Sequence, residues 1–103
     1  MKGIVCKYEF DSEAIREIIQ EIFVDGEMEV IVKPYSIDAR LYNGNSFHIS
    51  IHNSRNCIYA NCRRKYTSLK PDWEKDFNLD CYLEGIFQVI SLHLIRLNDK
   101  ILR

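Results

Sequence analysis

Four stretches between residues 28 and 65 alternate apolar and polar side chains with a period of two, and turn-forming residues separate them. They are MEVIVK (28–33), IDARLY (37–42), SFHISIH (46–52) and CIYANCRRK (57–65). Successive side chains on a strand point to opposite faces, so this pattern fits half-buried strands and not a helix, whose apolar positions recur at three and four. Pro34 has no N–H to give a ladder and breaks the chain after the first stretch. Asn43-Gly44 predicts a two-residue type I′ hairpin turn, in which both central residues take positive φ. The polar NSRN (53–56) predicts a second turn. Connections this short join antiparallel neighbours, and the four strands read as a meander.

A sheet with one apolar face needs a cover. Residues 13–24 supply one, because Ile15, Ile18, Ile19, Ile22 and Phe23 form a stripe at helical spacing. Asp11 or Ser12 can cap that helix, and Gly26 is placed to stop it. A second helix is predicted over 79–97, capped by Asn78, with Leu79, Tyr82, Leu83, Ile86, Phe87, Val89, Ile90, Leu94 and Leu97 on its apolar side. The segment 67–78, containing Pro71, reads as a loop, and residues 4–10 alternate like a further strand. The predicted fold is a single α+β domain over residues 1–103. It is a two-layer sandwich in which two helices pack on one face of an antiparallel meander sheet of about four to five strands.

The chain of 103 residues is 47% apolar with a net charge of −1, which suits a folded globule and gives no overall pull toward nucleic acid. Its first ten residues, MKGIVCKYEF, lack the apolar run of a signal peptide, and no apolar stretch is long enough to span a bilayer. The expectation is a cytoplasmic protein with no membrane association, whose Cys6, Cys57, Cys62 and Cys81 are free thiols.

Strand parity sorts the meander into faces. Val30, Val32, Ile37, Ala39, Leu41, Phe47, Ile49, Ile51, Ile58, Ala60 and Cys62 form the inward set. Arg40, Tyr42, His48, His52, Tyr59, Arg63 and Lys65 then share the outer face. Three chemistries compete there. A zinc site needs converging ligands, but Cys57 and Cys62 are five residues apart and fall on opposite faces, so no metal ligand is assigned. A metal-independent ribonuclease could use His48 and His52 to move protons and Arg63 or Lys65 to hold phosphate. A binding surface needs only large side chains that also hydrogen-bond, and tyrosine and arginine meet that need. The same types can stack RNA bases and hold phosphates. The plain alternative is a solvated sheet face.

Charge is segregated along the chain. Residues 9–29 hold eight acids against Arg16, and residues 30–75 hold eight bases against three acids. Glu13, Glu17 and Glu21 lie opposite the apolar stripe of the first helix, where like charges four apart repel. That stripe suits a partner with a basic surface. Leu92 and Ile95 sit on the polar side of the second helix, where they could seed a homodimer or a partner contact. His93 sits within its apolar side, and Trp73 reads as a lid or an exposed anchor in the loop before it.

No catalytic residue and no cofactor is assigned. The small size and the lack of a catalytic motif are similar to those of small immunity and counter-defence proteins, a resemblance of type that rests on no specific residues. The leading expectation is a small inhibitor that binds and blocks a partner protein, such as a nuclease. Glu13, Glu17 and Glu21 form one contact surface, and Arg40, Tyr42, His48, His52, Tyr59, Arg63, Lys65 and Trp73 form the other. The alternative is an RNA-binding module using the outer face, with a small ribonuclease behind it.

Overall fold

The computed structural model describes residues 9–23 and 28–102. Helix α1 runs Ser12–Ile22, followed by strands β1 (Met28–Lys33), β2 (Ser36–Leu41) and β3 (Ser46–His52). A single 3-10 turn, Asn53–Arg55, leads to β4 (Cys57–Arg63), then β5 (Trp73–Asn78) and helix α2 (Leu83–Leu102). The five strands form one antiparallel sheet in the order β1-β2-β3-β4-β5, and with the two helices the fold is α+β. The alternating segment 4–10 falls outside the described residues except for Glu9 and Phe10, which lie in no strand. Phe10 is buried and donates its backbone N–H to the Pro34 carbonyl at 2.8 Å. Gly26, expected to stop α1, and Cys6 also lie outside the described residues.

Asp11 caps α1 by accepting from the backbone N–H groups of Glu13 and Ala14, two donors that the first turn of a helix leaves unpaired. Ile15 and Ile19 then bury, and Phe23 closes the helix by donating its N–H to the Ile19 carbonyl. The core joins these to Ile86, Phe87, Ile90, Leu94 and Leu97 of α2 and to Ile37, Ala39, Phe47, Ile49, Ile51, Ile58, Ala60 and Cys62 of the sheet. Phe47 makes two ring contacts within it. Its ring stacks on Phe23 at 5.4 Å and meets Phe87 edge-on at 5.9 Å. Every residue that parity placed inward is buried or packs against this cluster.

The structure corrects the reading in three places. Residues 73–78 are strand β5, not loop, and pair with β4 from Cys57↔Asn78 to Cys62↔Trp73. Only Trp73 and Phe77 are apolar there, because an edge strand is held by its ladder and shielded by charges such as Glu74, Lys75 and Asp76. Asn78 ends β5 and does not cap α2. Its carbonyl accepts from Cys81 N–H at 3.1 Å, and α2 starts at Leu83, which leaves Tyr82 exposed and off the apolar side. The Asn43-Gly44 turn is not type I′, since Asn43 is absent from the positive-φ residues while Gly44 has φ +96°. Gly44 N–H bonds the Leu41 carbonyl at 3.0 Å and Leu41 N–H bonds the Asn45 carbonyl at 2.8 Å. This is a three-residue loop, 42–44, whose last residue is the left-handed glycine of a bulge.

That longer loop has a consequence for the outer face. It buries Asn45, whose Nδ2 donates to the Arg64 carbonyl at 2.8 Å, and it offers the Gly44 carbonyl to Tyr66 N–H at 3.0 Å. The segment between β4 and β5 is thereby tied to the end of the β2–β3 hairpin.

Candidate functional site

The strand register sets the outer face in rows across the sheet. One row reads Glu29, Arg40, Ser46, Arg63 from β1 to β4, and the next reads Ile31, Asp38, His48, Asn61, Glu74 from β1 to β5. Glu29, Ile31, Asp38, Arg40, Ser46, His48 and Arg63 line a concavity of about 430 Å³, and Tyr66 closes one end of it. Tyr66 comes from the segment that Gly44 and Asn45 anchor, and its ring lies 4.3 Å from the Arg40 guanidinium carbon, within cation–π range.

A hydrogen-bonded chain stiffens this face from beneath. Arg63 donates from Nη1 to Asn61 Oδ1 at 2.9 Å and from Nε to the Ser68 carbonyl at 3.0 Å. Asn61 Nδ2 donates to the Tyr59 hydroxyl at 3.1 Å, and that hydroxyl donates to Glu74 Oε1 at 2.7 Å. Asn61 is only 4% exposed despite pointing outward, so its neighbours close over it and the network excludes water from it. Burial first, and the Glu74 hydrogen bond second, raise the Tyr59 hydroxyl above its ordinary value and keep it a donor at neutral pH. Separately, His48 Nδ1 lies 2.8 Å from Asp38 Oδ1, and Ser50 Oγ lies 2.9 Å from His52 Nε2.

These pairings decide what chemistry the face can support. His48 and His52 are four residues apart on one strand, roughly 13 Å, and each is turned to a different partner. They do not converge as the acid and base of a phosphate-cleaving pair. Among the described residues one thiol is strongly shifted: Cys62 is fully buried and pushed up to about 12 by burial, so it is not an activated nucleophile. Among the described residues, Cys57, Cys62 and Cys81 are free, and no three His, Cys, Asp or Glu side chains gather as a metal site.

The expected site residues divide as follows. Arg40, His48, Tyr59 and Arg63 stand together on the outer face. His52 lies at its far end, turned to Ser50. Tyr42 and Lys65 lie beyond the strand ends, both exposed. Trp73 is not an outer-face or loop anchor. It opens β5 opposite Cys62, hence on the inward side, and stacks on His93 with ring centroids 4.3 Å apart. Glu13, Glu17 and Glu21 are all exposed on α1, and none lines the concavity. Sequence reasoning missed Tyr66 because its placement depends on the loop at Gly44. It missed Asn61 as a network centre because parity alone marks it as solvated.

Comparison with protein-family models, with curated proteins and with solved structures finds no match to this chain.

Proposed function

We propose that this protein acts by binding: it docks on a partner protein through its outer sheet face and blocks it. The observation that supports this reading is the preorganised concavity, where Arg40 is held on Tyr66 and Arg63 is fixed by two hydrogen bonds. Beside them Ile31 is 58% exposed and Tyr66 47% exposed. Rigid arginine and tyrosine next to uncovered apolar surface is the composition of an interface hot spot, where little side-chain entropy remains to be lost on association.

RNA suits the face less well. Glu29, Asp38, Glu74 and Asp76 point to the same side as the arginines, and a run of phosphates would have to pass over them. Inhibition of a basic partner such as a nuclease draws on the exposed glutamates of α1, whose field would speed encounter at long range while the sheet face makes the contact. Among the described residues no helix is long and apolar enough to cross a membrane.

The test is calorimetric titration of the partner recovered by affinity capture. Tyr66→Ala should weaken binding by roughly ten-fold or more, as truncation of a hot spot does. Glu13→Gln, Glu17→Gln and Glu21→Gln combined should slow association at low salt and leave dissociation unchanged. Full affinity in both Tyr66→Ala and Arg40→Ala would remove the sheet face from the reading.

A further inference from the structure

Two concavities adjoin at the Arg40–Tyr66 stack and share Glu29, Arg40 and Tyr66, the first on the outer face and the second at the end of the β1–β2 pair. The first, of about 430 Å³, holds Arg40, Ser46 and Arg63, which lie directly opposite one another on β2, β3 and β4. Two strand spacings separate the arginine backbones, roughly 10 Å, and the residue between them is a small serine. The second, of about 360 Å³, lies at the end of the β1–β2 pair, where Met28 and Leu41, partly buried against the core, and the exposed Tyr42 form an apolar shelf on the other side of the Arg40–Tyr66 stack.

Among the described residues no group takes up the guanidinium donors of Arg40 in a hydrogen bond or ion pair, while its guanidinium carbon lies 4.3 Å from the centre of the Tyr66 ring. Arg63 commits Nε and one Nη1 donor to the protein and keeps its other terminal N–H groups. Two positioned guanidinium groups across a small floor form a carboxylate clamp, since planar forks match the two oxygens of a carboxylate. Glu29 and Asp38 line the same concavity and oppose any ligand that brings repeated or multiple negative charge.

We infer that the Arg40–Ser46–Arg63 slot takes a single aspartate or glutamate side chain of the partner protein, with an adjoining apolar residue of that partner on the Met28–Leu41–Tyr42 shelf. The inference rests on the outer face being the docking surface. It concerns one side chain at contact, whereas the field of α1 acts on the partner as a whole.

The slot can be tested without the partner. Acetyl-Glu-Leu-amide and acetyl-Gln-Leu-amide are titrated into the 15N-labelled protein while the arginine Nε–Hε signals are followed by NMR, with inorganic phosphate and octauridylate as competing anions. The glutamate probe should shift Arg40 and Arg63 saturably in the millimolar range, with the glutamine probe about ten-fold weaker. Arg40→Gln should erase that preference. Equal response to the two probes overturns the inference, as does tighter binding of phosphate or octauridylate. If Arg40→Gln does not fold, the two probes on the unaltered protein still decide. Photo-crosslinking from position 31 tests the docking surface alone. A crosslinked partner without probe preference therefore overturns the slot and keeps the surface, and probe preference without a crosslink keeps the slot and overturns the docking reading.

Discussion

Replacing Asn61 by leucine is the sharpest perturbation of the outer face, because Asn61 is its most enclosed polar residue and joins both ends of the network. Asn61→Leu keeps the branching at Cγ and removes two hydrogen bonds. One is charge-assisted, to Arg63, and one neutral, to Tyr59, which together come to about 2–4 kcal/mol. Arg63 is only half-buried and can turn part of its guanidinium to water, so the lower end applies, about 2 kcal/mol. For a chain of this size that lowers Tm by about 10 °C. Tyr59→Phe loses the contacts to Glu74 and Asn61 and should cost about 1 kcal/mol. The two changes share a bond, so the double variant should fall short of their sum by about 1 kcal/mol. Urea unfolding of all four proteins measures this, with m unchanged if only native contacts are altered. Strict additivity, or an Asn61→Leu variant as stable as the parent, refutes the account of a coupled network under the site.

Other expectations are tied to single groups. Burial, followed by the charges of Arg96 and Lys75, lowers His93 below its ordinary value of 6.5, so the unfolded chain takes up that proton first as pH falls. The stability from this group is full above 6.5 and is lost as pH drops through the folded value. His93→Gln should flatten the stability profile just below 6.5, and an unchanged slope counts against it. Cys81 is exposed and should react with a thiol reagent before Cys57 and Cys62, with Cys62 reacting only on unfolding; rapid labelling of Cys62 in the native protein contradicts its burial. Gly44→Ala meets no neighbouring atom within 4 Å but must hold φ +96°, so it should destabilise by about 1 kcal/mol from backbone strain alone. A neutral result by denaturant melting would mean that the loop re-forms without the bulge.

The sheet was legible because its information is local. Period-two alternation at 28–33, 37–42, 46–52 and 57–65 carries the inward set whatever lies next to it, and α1 announces itself through Asp11 and its isoleucine stripe. β5 was not legible, because Trp73–Asn78 has two apolar residues and owes its form to the β4 ladder. The start of α2 failed for a related reason. Asn78 suits a helix cap, but the ladder had already claimed it for β5. The site was half legible. Parity placed Arg40, His48, Tyr59 and Arg63 on one face, yet Tyr66 reaches that face only through a loop conformation that Asn43-Gly44 does not specify. The burial of Asn61 depends on neighbours from two other strands, which no one-dimensional pattern encodes.

Docking of a partner protein on the outer sheet face can be read out with a photo-crosslinking amino acid placed at Ile31 in one variant and at Glu17 in another. Position 31 borders the concavity and position 17 lies on the exposed side of α1. One saturable crosslinked protein should form from position 31, displaced by excess unlabelled parent and not by the Arg40→Ala variant. Crosslinking to that partner from position 17 alone would place the interface on α1 and contradict docking on the sheet face.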